Sequence, residues 1–127
     1  MKILLLLLIT AMNAMAVDRW TALGLVESGG NDQIIGRAGE VSRYQIRPEL
    51  WEGGDPLDTR TALTNARQIM DARVAAFERS HGRQPDDFEF YVLWNAPAQI
   101  DHPHRAVAAR ARRFVNLIIF TAPRINN

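Results

Sequence analysis

Residues 20–30, WTALGLVESGG, decide the fold of this chain, because they read as an apolar helix that ends on a carboxylate. Trp20, Leu23 and Glu27 stand at positions i, i+3 and i+7, so they share one face of a helix. The two glycines that close the stretch suit the left-handed residue that ends many helices. We predict a first helix over residues 17–28 that is buried nearly all round.

A carboxylate at the end of such a helix is expected to hold its proton unusually well. Burial in an apolar setting penalises the charged form and raises the pKa of Glu27. The negative end of the helix dipole acts in the same direction. A glutamate with a raised pKa is suited to general acid catalysis near neutral pH.

The remainder of the chain predicts further helices and no strand of any length. A glycine-rich loop over residues 29–44 follows the first helix, and such loops in small domains are often functional. Residues 44–46 are expected to be extended. Gly82 is expected to end the long third helix, which Asp58 or Thr59 caps. The fold class is therefore a small all-α domain of about five helices, over residues 17–28, 48–51, 59–80, 88–95 and 103–121.

The first 16 residues have the pattern of a secretory signal peptide. Lys2 precedes an apolar run, and Ala14-Met15-Ala16 is a typical cleavage site. The apolar run over residues 3–17 is short against the roughly 20 residues that span a bilayer. We predict a signal peptide over residues 1–16, a domain over 17–127, a secreted or periplasmic location and no stable membrane insertion.

Composition excludes several classes of site. The chain has no cysteine, so it has neither disulfides nor a thiol nucleophile. Lys2 is the only lysine among 15 basic residues, which leaves 14 arginines against 14 acidic residues after signal cleavage. That balance argues against nucleic acid as a partner. The segment Asp101-His102-Pro103-His104 lacks a standard zinc spacing, so we expect no metal and no cofactor.

Three motifs together resemble a known family. Glu27-Ser28 ends the first helix, and Gly39, Gln45, Ile46 and Pro48 match the frame Gly-Ala-Ser-Gly-Leu-Met-Gln-Ile-Met-Pro. Later, Trp94-Asn95-Ala96-Pro97 stands where that family has Tyr-Asn-Ala-Gly. The chain resembles the catalytic domain of soluble lytic transglycosylases, which belong to the lysozyme superfamily and are related to goose-type lysozymes. The resemblance covers residues 20–97.

The chain departs from the family pattern at several positions. The family tyrosine that hydrogen-bonds the catalytic carboxyl is replaced by Trp94, whose only polar group is an N–H donor. Tyr91, one turn earlier, is the alternative partner. Ser42-Arg43-Tyr44 replaces Gly-Leu-Met, and Pro97 replaces a glycine.

The resemblance implies cleavage of peptidoglycan glycan strands between N-acetylmuramic acid and N-acetylglucosamine. Glu27 would protonate the glycosidic oxygen and then act as base on the C6 hydroxyl, which closes a 1,6-anhydro ring. The resemblance also implies a set of substrate-binding residues, namely Ser28, Tyr44, Gln45, Ile46, Tyr91, Trp94 and Asn95.

Two other functions remain open from the sequence. A lysozyme-type hydrolase needs a second carboxylate, for which Glu40 and Asp32 in the glycine-rich loop are the candidates. A non-catalytic glycan-binding domain would keep the cleft without the chemistry. The sequence also leaves open whether a cell-envelope protein binds this domain.

Overall fold

The computed structural model describes residues 17–121, and within them the fold is all-helical. Two short 3₁₀ turns, Pro48–Leu50 and Pro97–Gln99, join four α-helices. The helices are α1, Arg19–Ser28; α2, Thr59–His81; α3, Asp87–Asn95; and α4, Arg105–Thr121. The all-α prediction is confirmed, but the helix expected over 48–51 is a 3₁₀ turn. The predicted signal peptide over residues 1–16 lies outside the described residues.

Helix ends follow the capping residues in the sequence. The Asp18 carboxylate accepts a hydrogen bond from the Thr21 backbone N–H at 2.8 Å, so α1 begins at Arg19, two residues later than expected. Gly29 ends α1 with a φ of 68°. Asp58 caps α2 and Gly82 ends it, as predicted.

Helix α3 is the centre of the domain. Every residue from 90 to 94 is buried, and α3 packs against both α2 and α4. A reciprocal capping box between Asp86 and Glu89 fixes where α3 begins. Helix α1 packs against α4, and a hydrogen bond between Glu27 and Tyr91 joins the end of α1 to α3.

The expectation that α1 is buried nearly all round is wrong. Its inner side, with Ala22, Leu23 and Gly24, is buried, but Leu25 is 40% exposed. Thr21, one turn before Leu25, is also exposed, so these two residues form an outer face. No helix within residues 17–121 combines the length and apolar character that crossing a membrane requires.

Aromatic rings connect α1, the loop before α2, and α3. Trp20 on α1 meets Phe90 on α3 edge-on at 5.6 Å between ring centroids and Tyr44 in the loop at 6.1 Å. Tyr44 in turn meets Trp94, one turn beyond Phe90, at 6.4 Å. Such pairs each contribute about 0.5–1.5 kcal/mol beyond their buried area. The contacts hold the loop against α1 and α3 and so shape the groove beside them.

Candidate active site

A groove of about 930 Å³ runs between the end of α1, the loop before α2, and the facing sides of α2, α3 and α4. Its volume is near the upper end of the range of ligand pockets, roughly 300–1,000 Å³. Seven of the ten residues singled out from the sequence line it, and Ser28, Asp32 and Tyr44 do not. The seven are Glu27, Glu40, Gln45, Ile46, Tyr91, Trp94 and Asn95.

The end of α1 and the middle of α3 meet in one hydrogen bond within this groove. The Tyr91 hydroxyl donates to Glu27 Oε1 at 2.5 Å. No described residue donates a hydrogen bond to Glu27 Oε2. Because every buried side-chain oxygen of the described residues has a hydrogen-bond partner, Oε2 is not buried and is open to solvent. One carboxyl oxygen is thus held by Tyr91 while the other can reach a ligand.

Four effects set the pKa of Glu27, and the net result is a raised value. Burial has the largest effect and raises the pKa, as the sequence predicted. The hydrogen bond from Tyr91 and the positive charge of Arg110 oppose it, because both favour the carboxylate. The negative charge of Glu40 adds to the increase. Glu27 is therefore more readily protonated than an exposed glutamate.

Tyr91 is a rigid donor for this carboxyl. Its side chain is fully buried, and its ring packs on Phe114 with 5.6 Å between centroids. Burial and the neighbouring charge of Glu27 raise the pKa of Tyr91 far above its ordinary value, so the hydroxyl keeps its proton. The hydrogen bond that the sequence resemblance assigns to the position of Trp94 is thus made from Tyr91, one turn earlier.

Trp94 and Asn95, at the end of α3, both line the groove. Neither the indole N–H of Trp94 nor the side-chain amide of Asn95 bonds to a described residue, and both side chains line the groove. Trp94 is 8% exposed. An indole N–H can donate a hydrogen bond to a ligand, and a side-chain amide can both donate and accept one.

Gln45 is held in a strained turn rather than in the extended conformation expected from the sequence. Val41 and Ile46 form an antiparallel bridge with two hydrogen bonds of 2.8 Å. Within the turn that joins them, Ser42 and Gln45 have φ values of 66° and 52°. A non-glycine residue in this region costs on the order of 1–3 kcal/mol and persists only where surrounding contacts enforce it.

The side chain of Gln45 supplies part of that enforcement. Its Nε2 donates to the carbonyl oxygens of Ile34 at 3.0 Å and Ser42 at 2.9 Å. No described residue donates to its Oε1, which is therefore free to accept a hydrogen bond from a ligand in the groove.

Gly36 leaves the space in which Glu40 and Gln45 approach each other. A Cβ atom at this position would collide with the carboxylate of Glu40 and would lie 2.7 Å from Oε1 of Gln45. The Glu40 carboxylate is also held by the backbone N–H of Ala38, at 2.9 Å. The loop thereby keeps a second carboxyl group in the same groove as Glu27.

Ser28, Asp32 and Tyr44 stabilise the loop from outside the groove. Ser28 Oγ donates to the carbonyl of Arg43 at 2.7 Å. Asp32 accepts two hydrogen bonds from Arg43, at 2.7 and 2.9 Å, and that guanidinium lowers the pKa of Asp32. Tyr44 is 3% exposed within the aromatic contacts described above. Asp32 is therefore occupied by an ion pair away from Glu27, and the ring of Tyr44 is a core group.

None of the four arginines that line the groove, Arg37, Arg47, Arg73 and Arg110, was assigned a role from the sequence. Arg73 donates through Nη1 to the carbonyls of Leu93 and Trp94, at 2.9 and 2.7 Å, and so holds the end of α3. The sequence feature that could have indicated this role is that Arg73 stands at a helical spacing among alanine, isoleucine and phenylalanine residues. Arg110 lies on α4, and its positive charge opposes the increase in the pKa of Glu27.

Comparisons of the chain with protein-family models, with curated proteins and with solved structures give no significant match. The resemblance to lytic transglycosylases therefore depends on the motif residues themselves. Of those residues, Glu27, Gln45, Ile46 and the segment 94–97 line the groove, whereas Ser28, Gly39 and Pro48 do not.

Proposed function

We propose that this domain is lysozyme-like in fold and acts as a lytic transglycosylase on peptidoglycan, with Glu27 as its general acid and base. The observation that carries the proposal is the Tyr91–Glu27 hydrogen bond at the wall of a groove of about 930 Å³. A protonated carboxyl with one held and one accessible oxygen is the arrangement that proton transfer to a ligand requires. The three sequence motifs support the same assignment.

In the proposed reaction a single carboxyl performs both proton transfers. Glu27 gives its proton to the glycosidic oxygen, and the bond between that oxygen and C1 of the muramic residue breaks. The Glu27 carboxylate then takes the proton of the C6 hydroxyl, whose oxygen forms the new bond to C1. The product is a 1,6-anhydro end, and Glu27 is protonated again. Tyr91 stabilises the carboxylate between the two steps by its hydrogen bond.

Hydrolysis with Glu40 as second carboxylate is the alternative that a specific observation favours. Glu40 lines the same groove, and its charge raises the pKa of Glu27. A retaining hydrolase places its carboxyl groups about 5–5.5 Å apart, and an inverting one about 6.5–9.5 Å. In either case water, rather than the C6 hydroxyl, would attack C1.

Digestion of purified sacculi distinguishes these functions. Mass spectrometry of the products should show anhydro ends, which weigh one water less than the reducing ends that hydrolysis gives. Glu27→Gln should lower the rate by about 10²- to 10⁴-fold, the usual contribution of a general acid. Glu52→Gln, an exposed change outside the groove, serves as the matched control.

The result also separates catalysis from binding. Glycan release that survives Glu27→Gln would place the acid elsewhere. Binding to sacculi without release of any product by the unmutated protein would instead favour a non-catalytic glycan-binding domain.

We also propose that residues 1–16 are a signal peptide and that the domain acts outside the cytoplasmic membrane. The basis is the sequence pattern of Lys2, the apolar run and Ala14-Met15-Ala16. Amino-terminal sequencing of the mature protein should begin near Val17; an intact Met1 in the exported fraction would contradict cleavage.

A further inference from the structure

Arginine is the most frequent charged residue in the groove. Its lining contains three glutamates, Glu27, Glu40 and Glu49, and four arginines, Arg37, Arg47, Arg73 and Arg110. With Glu27 protonated, as its proposed role requires, positive charges outnumber negative ones by four to two. A neutral sugar polymer gains nothing from such an excess, whereas an anionic group on the ligand does.

Arg73 lies in an unusual position for a cation. It is partly buried in the groove, and no carboxylate of residues 17–119 pairs with it. Burial, together with the positive charge of Arg47, lowers the pKa of Arg73. A guanidinium beside a like charge and without a counter-ion is an unfavourable arrangement that a bound anion would relieve.

Donors remain free on this guanidinium. Only Nη1 of Arg73 is used, in the two hydrogen bonds to α3. Nε and Nη2 have no hydrogen-bond partner among the described residues. Because every buried side-chain nitrogen of those residues has a partner, Nε and Nη2 are not buried and are open to solvent. Nε and Nη2 together form the pair of parallel donors that binds a carboxylate in a bidentate manner.

Arg47 is available to contribute the second positive charge. Its contact with Glu49 is 3.5 Å long, and the two side chains are 67% and 63% exposed. Ion pairs of that kind contribute little to stability, so Arg47 is free to turn towards a ligand.

We propose that Arg47 and Arg73 form a subsite for a carboxylate carried by the muramic residue, either on its lactyl group or on the peptide attached to it. The inference rests on the proposed function, because that function assigns the glycan to this groove. Arg73 bonds the carbonyl of Trp94, which is one turn of α3, or about 4.5 Å of helix rise, from Tyr91. The subsite therefore lies in the same groove as the proposed acid, at the end of α3, where a side group of the bound muramic residue would be.

Binding measurements on the Glu27→Gln protein test the subsite without cleavage of the ligand. Isothermal titration would compare three glycans of equal length, namely strands that bear peptides, strands stripped by an amidase to leave the lactyl carboxylate, and chitooligosaccharides without a carboxylate. We expect at least one carboxylate-bearing strand to bind roughly tenfold or more tightly than the chitooligosaccharide. Tighter binding of peptide-bearing strands than of stripped strands would place the carboxylate on the peptide. The preference should shrink as salt is raised.

Variants then assign the preference to the two arginines. Arg47→Gln should lower the affinity ratio, because one of the two positive charges is lost, whereas Arg112→Gln, an exposed change on α4 outside the groove, should leave it unchanged. Arg73→Lys keeps a charge but loses the bidentate donors. If Arg73 serves only to hold the end of α3, this change lowers the melting temperature and leaves the ratio unaltered, which overturns its part in the subsite.

The outcomes separate the subsite from the proposed reaction. Equal affinity for all three glycans overturns the subsite even if the unmutated protein cleaves sacculi. A carboxylate preference that Arg47→Gln reduces, in a protein that releases no product, supports the subsite and overturns the reaction. Failure to bind any of the three glycans overturns both.

Discussion

Replacing Tyr91 by phenylalanine removes a single hydroxyl group from the proposed catalytic pair. The ring and its packing on Phe114 remain, so the main loss is the 2.5 Å hydrogen bond to Glu27. That bond favours the carboxylate form of Glu27. Its removal must therefore raise the pKa of Glu27 further, because burial and Glu40 then act with less opposition.

The size of the effect follows from the energy of such a bond. A hydrogen bond to a charged group contributes about 1.5–3 kcal/mol, which is about 10- to 100-fold in the equilibrium constant for proton loss. Glu27 must be protonated for the first step, so activity falls at alkaline pH as Glu27 ionises. In Tyr91→Phe the fall in activity should move to higher pH, by one pH unit for each tenfold decrease in the equilibrium constant for proton loss from Glu27. The plateau rate should drop several-fold, because the carboxylate formed by proton transfer is less stabilised.

The assay is the rate of release of soluble product from sacculi between pH 4 and pH 10, with a carbon-13 NMR titration of the Glu27 carboxyl as a direct readout. Tyr44→Phe is the matched control, since Tyr44 is the only other tyrosine and its hydroxyl bonds to no described residue. An unshifted titration of Glu27 in Tyr91→Phe, or a shift to lower pH, would refute the reasoning.

Two further predictions concern the protonation of Glu27 and the space that Gly36 leaves for Glu40 and Gln45. The folded-state pKa of Glu27 is raised, so stability is lost as pH rises from the unfolded value near 4.5 through the folded value. Glu27→Gln should therefore raise the melting temperature at pH 7 but not at pH 4; equal differences at both pH values in calorimetry would contradict this. Gly36→Ala should displace Glu40 and Gln45 and lower product release. Unchanged kinetics would show that neither side chain needs its present position.

Helix boundaries were the part of the fold most accessible from the sequence. Asp58 and Gly82 bracket α2 as predicted, because capping depends on residues within one turn of the helix end. Tyr44 and Leu25 show the limit of that approach. Whether an aromatic or apolar residue is buried depends on what packs over it, and the pattern of neighbouring residues does not contain that information.

The candidate site likewise contains residues that the sequence placed and residues that only tertiary contacts placed. Glu27 at the end of an apolar helix, with a raised pKa, follows from local sequence, and Gln45 was placed near it by motif spacing. The left-handed turn at Gln45 was not predictable, because it is held by the carbonyl of Ile34, 11 residues away. The position of Arg73 in the groove was not predictable either, because it depends on hydrogen bonds from this residue of α2 to the end of α3.

The sequence by itself determined the helical class, the ends of α2 and the candidate acid, since periodicity and capping act between residues a few positions apart. Only the tertiary structure decided that Tyr91 is the residue that bonds Glu27. The two are 64 residues apart in the chain and sit on helices that do not follow each other. Their contact depends on how α1 and α3 pack, and packing is a property of the whole domain.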